Sequence, residues 1–124
     1  MNPKQVVQAF LDHAAAGRTE EAIALIADDC DCWYTGAGSI SRDDLVNGMR
    51  GLQGLAAGGT RFPVTDMIQE GDRVAVEYVG HMPLTNGRTY ANTYHSKFVV
   101  RGGKIVVFRE YLDPLIVSAA LAPV

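Results

Sequence analysis

Residues 89–113 have the sequence TYANTYHSKFVVRGGKIVVFREYLD, which is the clearest indication of the fold in this chain of 124 residues. The two halves of this stretch are rich in β-branched and aromatic residues, and the Arg101-Gly102-Gly103 segment between them is typical of a tight turn. We therefore predict two long antiparallel strands, residues 89–100 and 104–112, joined as a hairpin.

Each predicted strand has an inward and an outward face, because side chains alternate along a strand. In the first strand the large aromatic residues fall on one face, which carries Tyr90, Asn92, Tyr94, Ser96, Phe98 and Val100. In the second strand the matching inward residues are Val106, Phe108, Glu110 and Leu112, and the outward ones are Val107, Arg109, Tyr111 and Asp113. The pattern places one carboxyl group, that of Glu110, among apolar side chains.

A carboxyl group in such a place is suited to proton transfer. Burial makes the group costly to ionise, so we expect the pKa of Glu110 to rise toward neutrality. The alternative is a polar network that only closes the core, in which Tyr90, Asn92 and Tyr94 form hydrogen bonds with the buried carboxyl group.

The remaining sequence indicates the fold class. Helical patterns run from Pro3 to just before Gly17, over residues 19–28, and from Ser41 through Leu52. Strand patterns cover residues 30–35, 61–69 and 73–82. We predict one α+β domain spanning residues 1–124, in which three N-terminal helices cover a conical, curved antiparallel sheet and enclose a pocket.

The amino-acid composition indicates which classes of partner are not expected. The formal charge is -3 and no basic block is present, so nucleic acid is not expected as a partner. No apolar run approaches the roughly 20 residues that span a bilayer, and the first residues do not resemble a signal peptide, so we expect a cytoplasmic protein with no membrane partner. Cys30, Cys32 and three scattered histidines do not form a ligand set, so no metal is expected.

Four segments resemble a known family: residues 17–22 (GRTEEA), 27–33 (ADDCDCW), 71–77 (GDRVAVE) and 103–113 (GKIVVFREYLD). With the order of elements, they make the chain similar to the SnoaL-like and ketosteroid-isomerase-like branch of the nuclear transport factor two-like superfamily. The resemblance covers nearly the whole chain and implies a conical α+β barrel. Members of this fold include isomerases, cyclases, epoxide hydrolases, dehydratases and proteins without catalysis.

The resemblance also implies which catalytic sets are missing. Where ketosteroid isomerases have a Tyr, a base Asp and a protonated Asp, this chain has Phe10, Tyr34 and Tyr94. Where limonene-epoxide-hydrolase-like enzymes have an Arg and an Asp, it has Tyr78 and Gly80. The third acid of those hydrolases and the acid–base carboxylate of SnoaL-like cyclases both correspond to Glu110.

These observations favour an acid–base enzyme of the isomerase, cyclase or lyase type, without a cofactor, acting on a small hydrophobic substrate that is cyclic or bears a carbonyl group. Glu110 would move the proton, and Tyr34, Tyr94 and Asn92 would donate hydrogen bonds to the substrate. The predicted substrate-binding wall consists of Phe10, Trp33, Tyr78, Tyr90, Phe98, Phe108 and Leu112. The alternative function is non-catalytic binding of a small hydrophobic molecule.

The outward sheet face also predicts a partner. It carries Thr93, His95, Val99, Val107 and Tyr111, and is partly too apolar to be wholly solvated. Because members of the resembled family commonly pair through this face, we expect a homodimer with an isologous interface.

Overall fold

The computed structural model describes residues 1–123. The elements are α1 (Pro3–Ala15), α2 (Thr19–Ala24), β1 (Ile26–Tyr34), β2 (Gly38–Ile40), α3 (Arg42–Leu55), β3 (Val64–Glu70), β4 (Arg73–Pro83), β5 (Thr89–Arg101), β6 (Lys104–Tyr111) and α4 (Pro114–Leu121). Within residues 1–123, no helix is long and apolar enough to cross a membrane.

All the strands form one curved sheet of six, in the order β2-β1-β6-β5-β4-β3. The α+β class is therefore confirmed, and consecutive strands from β3 to β6 pair in antiparallel fashion as predicted. The sheet is mixed rather than wholly antiparallel, because β1 pairs in parallel with β6. Its two outer strands, β2 and β3, do not meet, so the sheet is open and not a closed barrel.

Several element boundaries differ from the prediction. Helix α2 ends at Ala24 and β1 already begins at Ile26, because Ile26 pairs with Ile105 and the Ile105 amide donates to the Leu25 carbonyl at 2.8 Å. Strand β2 and helix α4 were not predicted. Helix α4 starts after Asp113, whose side chain accepts a hydrogen bond from the Leu115 amide at 2.9 Å, as N-cap residues do.

A register shift alters the inward face of β6. The pairing with β5 slips between Val99 and Val100, so Ile105 instead of Val106 is fully buried. The prediction for Val106 is therefore wrong, whereas Phe108 and Glu110 keep the inward side beyond the irregularity. On the other side Val99 is buried as well, so it adds nothing to an outer surface.

The core lies between α1 and the inner face of the sheet. Val6, Val7, Phe10 and Leu11 recur at helical spacing and form the buried side of α1. The Phe10 ring lies 5.9 Å from that of Phe98 and 5.6 Å from that of Phe108, measured between ring centroids. This aromatic cluster closes one end of the space under the sheet, and the other end remains open as a pocket.

Candidate functional site

A pocket of about 400 Å³ lies between the inner sheet face and helices α1, α3 and α4. Its wall is mostly apolar. Eight of the eleven candidate residues line it, namely Phe10, Tyr34, Tyr78, Tyr90, Tyr94, Phe108, Glu110 and Leu112. The remaining three, Trp33, Phe98 and Asn92, lie elsewhere.

Trp33 and Phe98 are placed differently for simple geometric reasons. Trp33 packs on Tyr111 with ring centroids 4.7 Å apart, on the outer side of the sheet, and Tyr111 is 47% exposed. Phe98 is on the inward side but is fully buried beneath Phe10 and Phe108, so it contributes to the core and not to the wall of the pocket. The structure therefore does not place these two residues in the wall of the pocket.

Asn92 is fully used in structural hydrogen bonds. Its Nδ2 donates to the Tyr90 hydroxyl at 3.0 Å and to the Asp113 carbonyl at 3.0 Å. Its Oδ1 accepts from the amides of Thr93 at 2.9 Å and Asp113 at 3.2 Å. Both side-chain protons are therefore donated within the protein, which leaves Asn92 no free proton for a substrate. The side chain instead fixes Tyr90 and the start of α4 to β5.

Glu110 lies at the inner wall of the pocket, where Tyr34 is its parallel neighbour on β1 and Ser96 its partner on β5. The surface that it keeps faces the pocket. Burial raises the pKa of Glu110 from 4.5 to about 7, and the nearby Tyr78 hydroxyl opposes this rise. The Tyr78 hydroxyl also forms a hydrogen bond with the Ser96 hydroxyl, with 3.3 Å between the two oxygens. The Tyr78 hydroxyl is thus the only side-chain group of the described residues whose hydrogen bonding affects the pKa of Glu110, and no cationic side chain does so.

Tyr90 is the phenol that receives hydrogen bonds from its neighbours. The Tyr94 hydroxyl donates to the Tyr90 oxygen at 2.7 Å, and Asn92 Nδ2 donates to the same oxygen. Burial raises the pKa of Tyr90, while these two accepted hydrogen bonds oppose the rise. Because the Tyr94 proton is used and the Tyr90 proton has no acceptor within residues 1–123, Tyr90 is the better donor to a ligand.

Tyr34 offers a second hydroxyl. It lines the pocket, and its oxygen makes no hydrogen bond within the described part of the chain. Burial raises the pKa of Tyr34, and the neighbouring Glu110 carboxyl raises it further, so the phenol stays protonated over the physiological range. The site thus combines one proton-exchanging carboxyl group with two unused phenol donors, Tyr34 and Tyr90.

Sequence reasoning missed much of the wall opposite the sheet. Helix α3 contributes its inward side, Phe62 enters from the segment before β3, and α4 closes over the pocket. These missed residues include Leu45, Met49, Leu52, Phe62, Val117 and Leu121. The helical spacing in α3 was visible in the sequence, and Asp113-Pro114 is an N-cap and first-turn signal that could have indicated α4.

The end of the chain is tied down beside the pocket. The Arg88 guanidinium donates to the carbonyls of Ala119 at 3.1 Å and Ala122 at 2.6 Å, and Ala120 is buried. The C-terminal segment therefore covers part of the pocket and does not trail away from it, while Val124 lies outside the described residues.

The part of the chain that the structure describes contains no reactive-thiol site and no metal site. Cys30 and Cys32 are buried free thiols, and burial raises the pKa of Cys30 to about 12, which leaves it unreactive. No group of three or more histidine, cysteine, aspartate or glutamate residues within 1–123 could hold a metal ion.

Replacing Asn92 by alanine should lower the free energy of unfolding by about 2 kcal/mol, because two backbone amides and one carbonyl would lose their partners in a part-buried region. Urea unfolding measures the change. Asn86→Ala is a matched control, because Asn86 also bonds α4 but lies in a turn near the surface. An equal loss in both variants would contradict the anchoring role of Asn92.

Comparison with known proteins agrees with this geometry. A family model described as the SnoaL-like domain matches residues 7–108. No curated protein sequence matches the chain. Among solved structures, an NTF2-like protein of unknown function from Burkholderia pseudomallei superposes with a TM-score of 0.81 at 17% identity, over 99% of each chain.

Two other similar structures carry a described or proposed activity. IdmH from Streptomyces antibioticus, a proposed polyketide cyclase, has a TM-score of 0.80 at 22% identity and covers 99% of this chain and 100% of its own. A Mycobacterium tuberculosis LEH-like epoxide hydrolase has a TM-score of 0.76 at 20% identity and covers 94% of this chain and 86% of its own. At these identities the likeness establishes the fold alone.

Proposed function

Because the chain belongs to the SnoaL-like domain family, we propose that it is an acid–base enzyme of the isomerase, cyclase or lyase type that acts on a small hydrophobic substrate without a cofactor. The observation that carries this proposal is the Glu110 carboxyl group, which lies in a mostly apolar pocket beside two unused phenol donors. Its pKa of about 7, raised by burial, means that both its acid and its base forms are populated near neutral pH.

The reaction needs only these side chains. The Glu110 carboxylate takes a proton from the carbon next to a carbonyl group. The electrons of that C–H bond form a C=C bond, and the π electrons of the carbonyl group move onto its oxygen, which gives an enolate. Tyr34 and Tyr90 donate hydrogen bonds to this oxygen as it gains charge. The protonated Glu110 then returns its proton to another carbon of the same conjugated system. The C=C electrons form the new C–H bond and the carbonyl group forms again, so the enzyme ends the cycle unchanged.

Deuterium exchange tests the proposal without knowledge of the substrate. A panel of small cyclic ketones and polyketide-like compounds is incubated with the protein in D₂O, and incorporation beside the carbonyl is followed by mass spectrometry. We expect incorporation with the parent protein and none with Glu110→Gln. Equal incorporation by both proteins would refute the role of Glu110.

Replacing Tyr90 by phenylalanine should slow exchange about 100-fold, the usual effect of losing one donor to a developing oxyanion. Tyr111→Phe is the matched control, because Tyr111 loses the same hydroxyl on the outer side of the sheet. If the two variants exchange at the same rate, Tyr90 does not stabilise the reacting oxygen.

The second candidate function is binding without turnover. It is favoured by the same apolar pocket, in which Glu110 would serve only as a hydrogen-bonding anchor. Carboxyl ¹³C NMR of the free protein separates the two candidates, because an anchor needs no pKa near neutrality. A Glu110 that titrates near the ordinary value for glutamate, about 4.3, would favour the binding protein.

We propose further that two copies pair through the outer sheet face. Exposed apolar surface at Val79 and Tyr111 lies there, beside Thr93 and His95, and its area is smaller than the sequence indicated because Val99 is buried. Light scattering should give twice the chain mass of 13.4 kDa. A single 13.4 kDa species at micromolar concentration would reject the dimer.

A further inference from the structure

The charge balance of the pocket is one-sided. Among the lining residues that the structure describes there are two carboxyl groups and no lysine, arginine or histidine. Glu110 lies at the inner wall, and Asp44, in the exposed first turn of α3, lies at the rim. The pocket is therefore negative whenever Glu110 is ionised, and no cation of its wall balances that charge.

The neighbours of Glu110 do not supply the missing charge. The titratable groups that face it from β1, β4 and β5 are four phenols, Tyr34, Tyr78, Tyr90 and Tyr94, and burial raises the pKa of each, so all are neutral. Arg109, next to Glu110 in the chain, points to the outer side of the sheet and pairs with Asp31 at 2.7 Å. Among the described residues the buried carboxylate thus has phenol neighbours but no positively charged partner.

A positively charged ligand would be attracted electrostatically to the ionised Glu110 carboxylate. Above about pH 7 Glu110 is already ionised in the protein without ligand. The desolvation free energy of the carboxylate is therefore part of the folded state, and ligand binding does not add it again. The remaining cost is the desolvation of the ligand, and aromatic pockets are the usual receptors of quaternary ammonium ions. Aromatic side chains from α1, β1, β4, β5 and β6 line this pocket.

We propose that the pocket binds hydrophobic ammonium ions, with the positive charge beside the Glu110 carboxylate and the apolar part of the ligand against α3 and the aromatic wall. This binding goes beyond the proposed proton transfer, because it requires only that Glu110 be ionised and not that it exchange a proton with the ligand. An anionic ligand is rejected for the same electrostatic reason.

A pair of compounds of equal shape tests the proposal. Benzyltrimethylammonium carries a fixed charge, and neopentylbenzene replaces its nitrogen by carbon. Their dissociation constants are measured on the full chain by ¹H–¹⁵N NMR at pH 5.5 and pH 8. At pH 8 we expect the ammonium ion to bind at least about 10-fold more tightly than the hydrocarbon, and at pH 5.5 this preference should shrink because Glu110 becomes protonated.

The Glu110→Gln variant completes the test, since it keeps the shape of the side chain and removes its charge. It should lose the preference for the ammonium ion at pH 8 and keep the affinity for neopentylbenzene. Equal binding of the two compounds by the parent protein at pH 8, or an unchanged preference in the variant, would overturn the proposal. Failure of the proposed catalysis would appear separately, as absent deuterium exchange in a protein that still prefers the ammonium ion.

Discussion

The Glu110→Gln variant should become more stable relative to the parent protein as the pH rises, by about 3 kcal/mol between pH 4 and pH 8. The reason is the raised pKa of Glu110, which burial moves from 4.5 to about 7 in the folded state. Between these two values the folded state binds more protons than the unfolded state, so the parent loses stability as the pH increases. Because glutamine cannot ionise, the variant does not lose stability in this way.

The pH window follows from the same two values. Below pH 4.5 the carboxyl group is protonated in both states, so the parent suffers no loss there. Above about pH 7 it is ionised in both states, and the loss has reached its full size and stays constant. The gap between variant and parent should therefore open between pH 4.5 and pH 7 and remain level beyond.

Urea unfolding of both proteins at each pH from 4 to 8 measures the gap, and all other titrating groups cancel in the difference. Asp66→Asn serves as a control for the loss of one negative charge, because Asp66 is exposed on β3 and forms no ion pair with the described residues. A gap for Glu110→Gln that stays constant over this range would show that the carboxyl group is not desolvated.

This stability cost is informative about function. A protein selected only for stability would place an apolar residue at the inner wall of the pocket, where the neighbours are Tyr34, Phe108 and Leu112. Retaining an acid there is expected where proton transfer or binding of charge depends on it. The same reasoning links the pH-dependent stability of the parent to both proposals made for Glu110.

The prediction of the fold was correct for features that depend on the local alternation of side chains along the sequence. Alternation along β5 correctly identified its inward face because every second side chain there is buried. The parallel pairing of β1 with β6 was not visible, since it joins segments separated by most of the chain and leaves no local trace. The register shift near Val99 was equally hidden, and it moved Ile105 inward in place of Val106.

The predicted site contained two kinds of error, one that the sequence could have prevented and one that it could not. Trp33 could have been excluded from the sequence, since adjacent residues on a strand point to opposite faces and Tyr34 was already assigned inward. The roles of Asn92 and Tyr94 could not have been, because both follow from hydrogen-bond directions between side chains. Only the folded geometry reveals that their protons converge on the oxygen of Tyr90.

Replacing Gly80 by alanine should lower the free energy of unfolding by about 3 kcal/mol, at the upper end for overpacking by one methyl group. A Cβ at this position would lie 2.6 Å from Tyr94 Cε2 and 3.2 Å from both the Tyr94 hydroxyl and Phe62 Cε1. The backbone is not the obstacle, because Gly80 does not have a positive φ. Gly80 thus provides the space that the Tyr94 ring fills.

The Tyr94 ring cannot easily yield to the new methyl group. It stacks on Tyr78 with centroids 4.6 Å apart and planes 3° from parallel, and its hydroxyl donates to Tyr90 at 2.7 Å. Moving the ring would break this hydrogen bond and distort the wall of the pocket beside Glu110. Gly80→Ala should therefore also weaken ligand binding, which the stability loss alone would not reveal.

A double-mutant cycle separates this steric cause from others. In a Tyr94→Ala background the closest obstructing atoms are gone, so Gly80→Ala should cost less than about 1 kcal/mol there. Gly51→Ala is the matched control, because it adds the same methyl group to open space on α3 and should stabilise the protein by about 1 kcal/mol. If Gly80→Ala were equally costly with and without the Tyr94 ring, the close approach of that ring to Gly80 would not be the reason for the glycine.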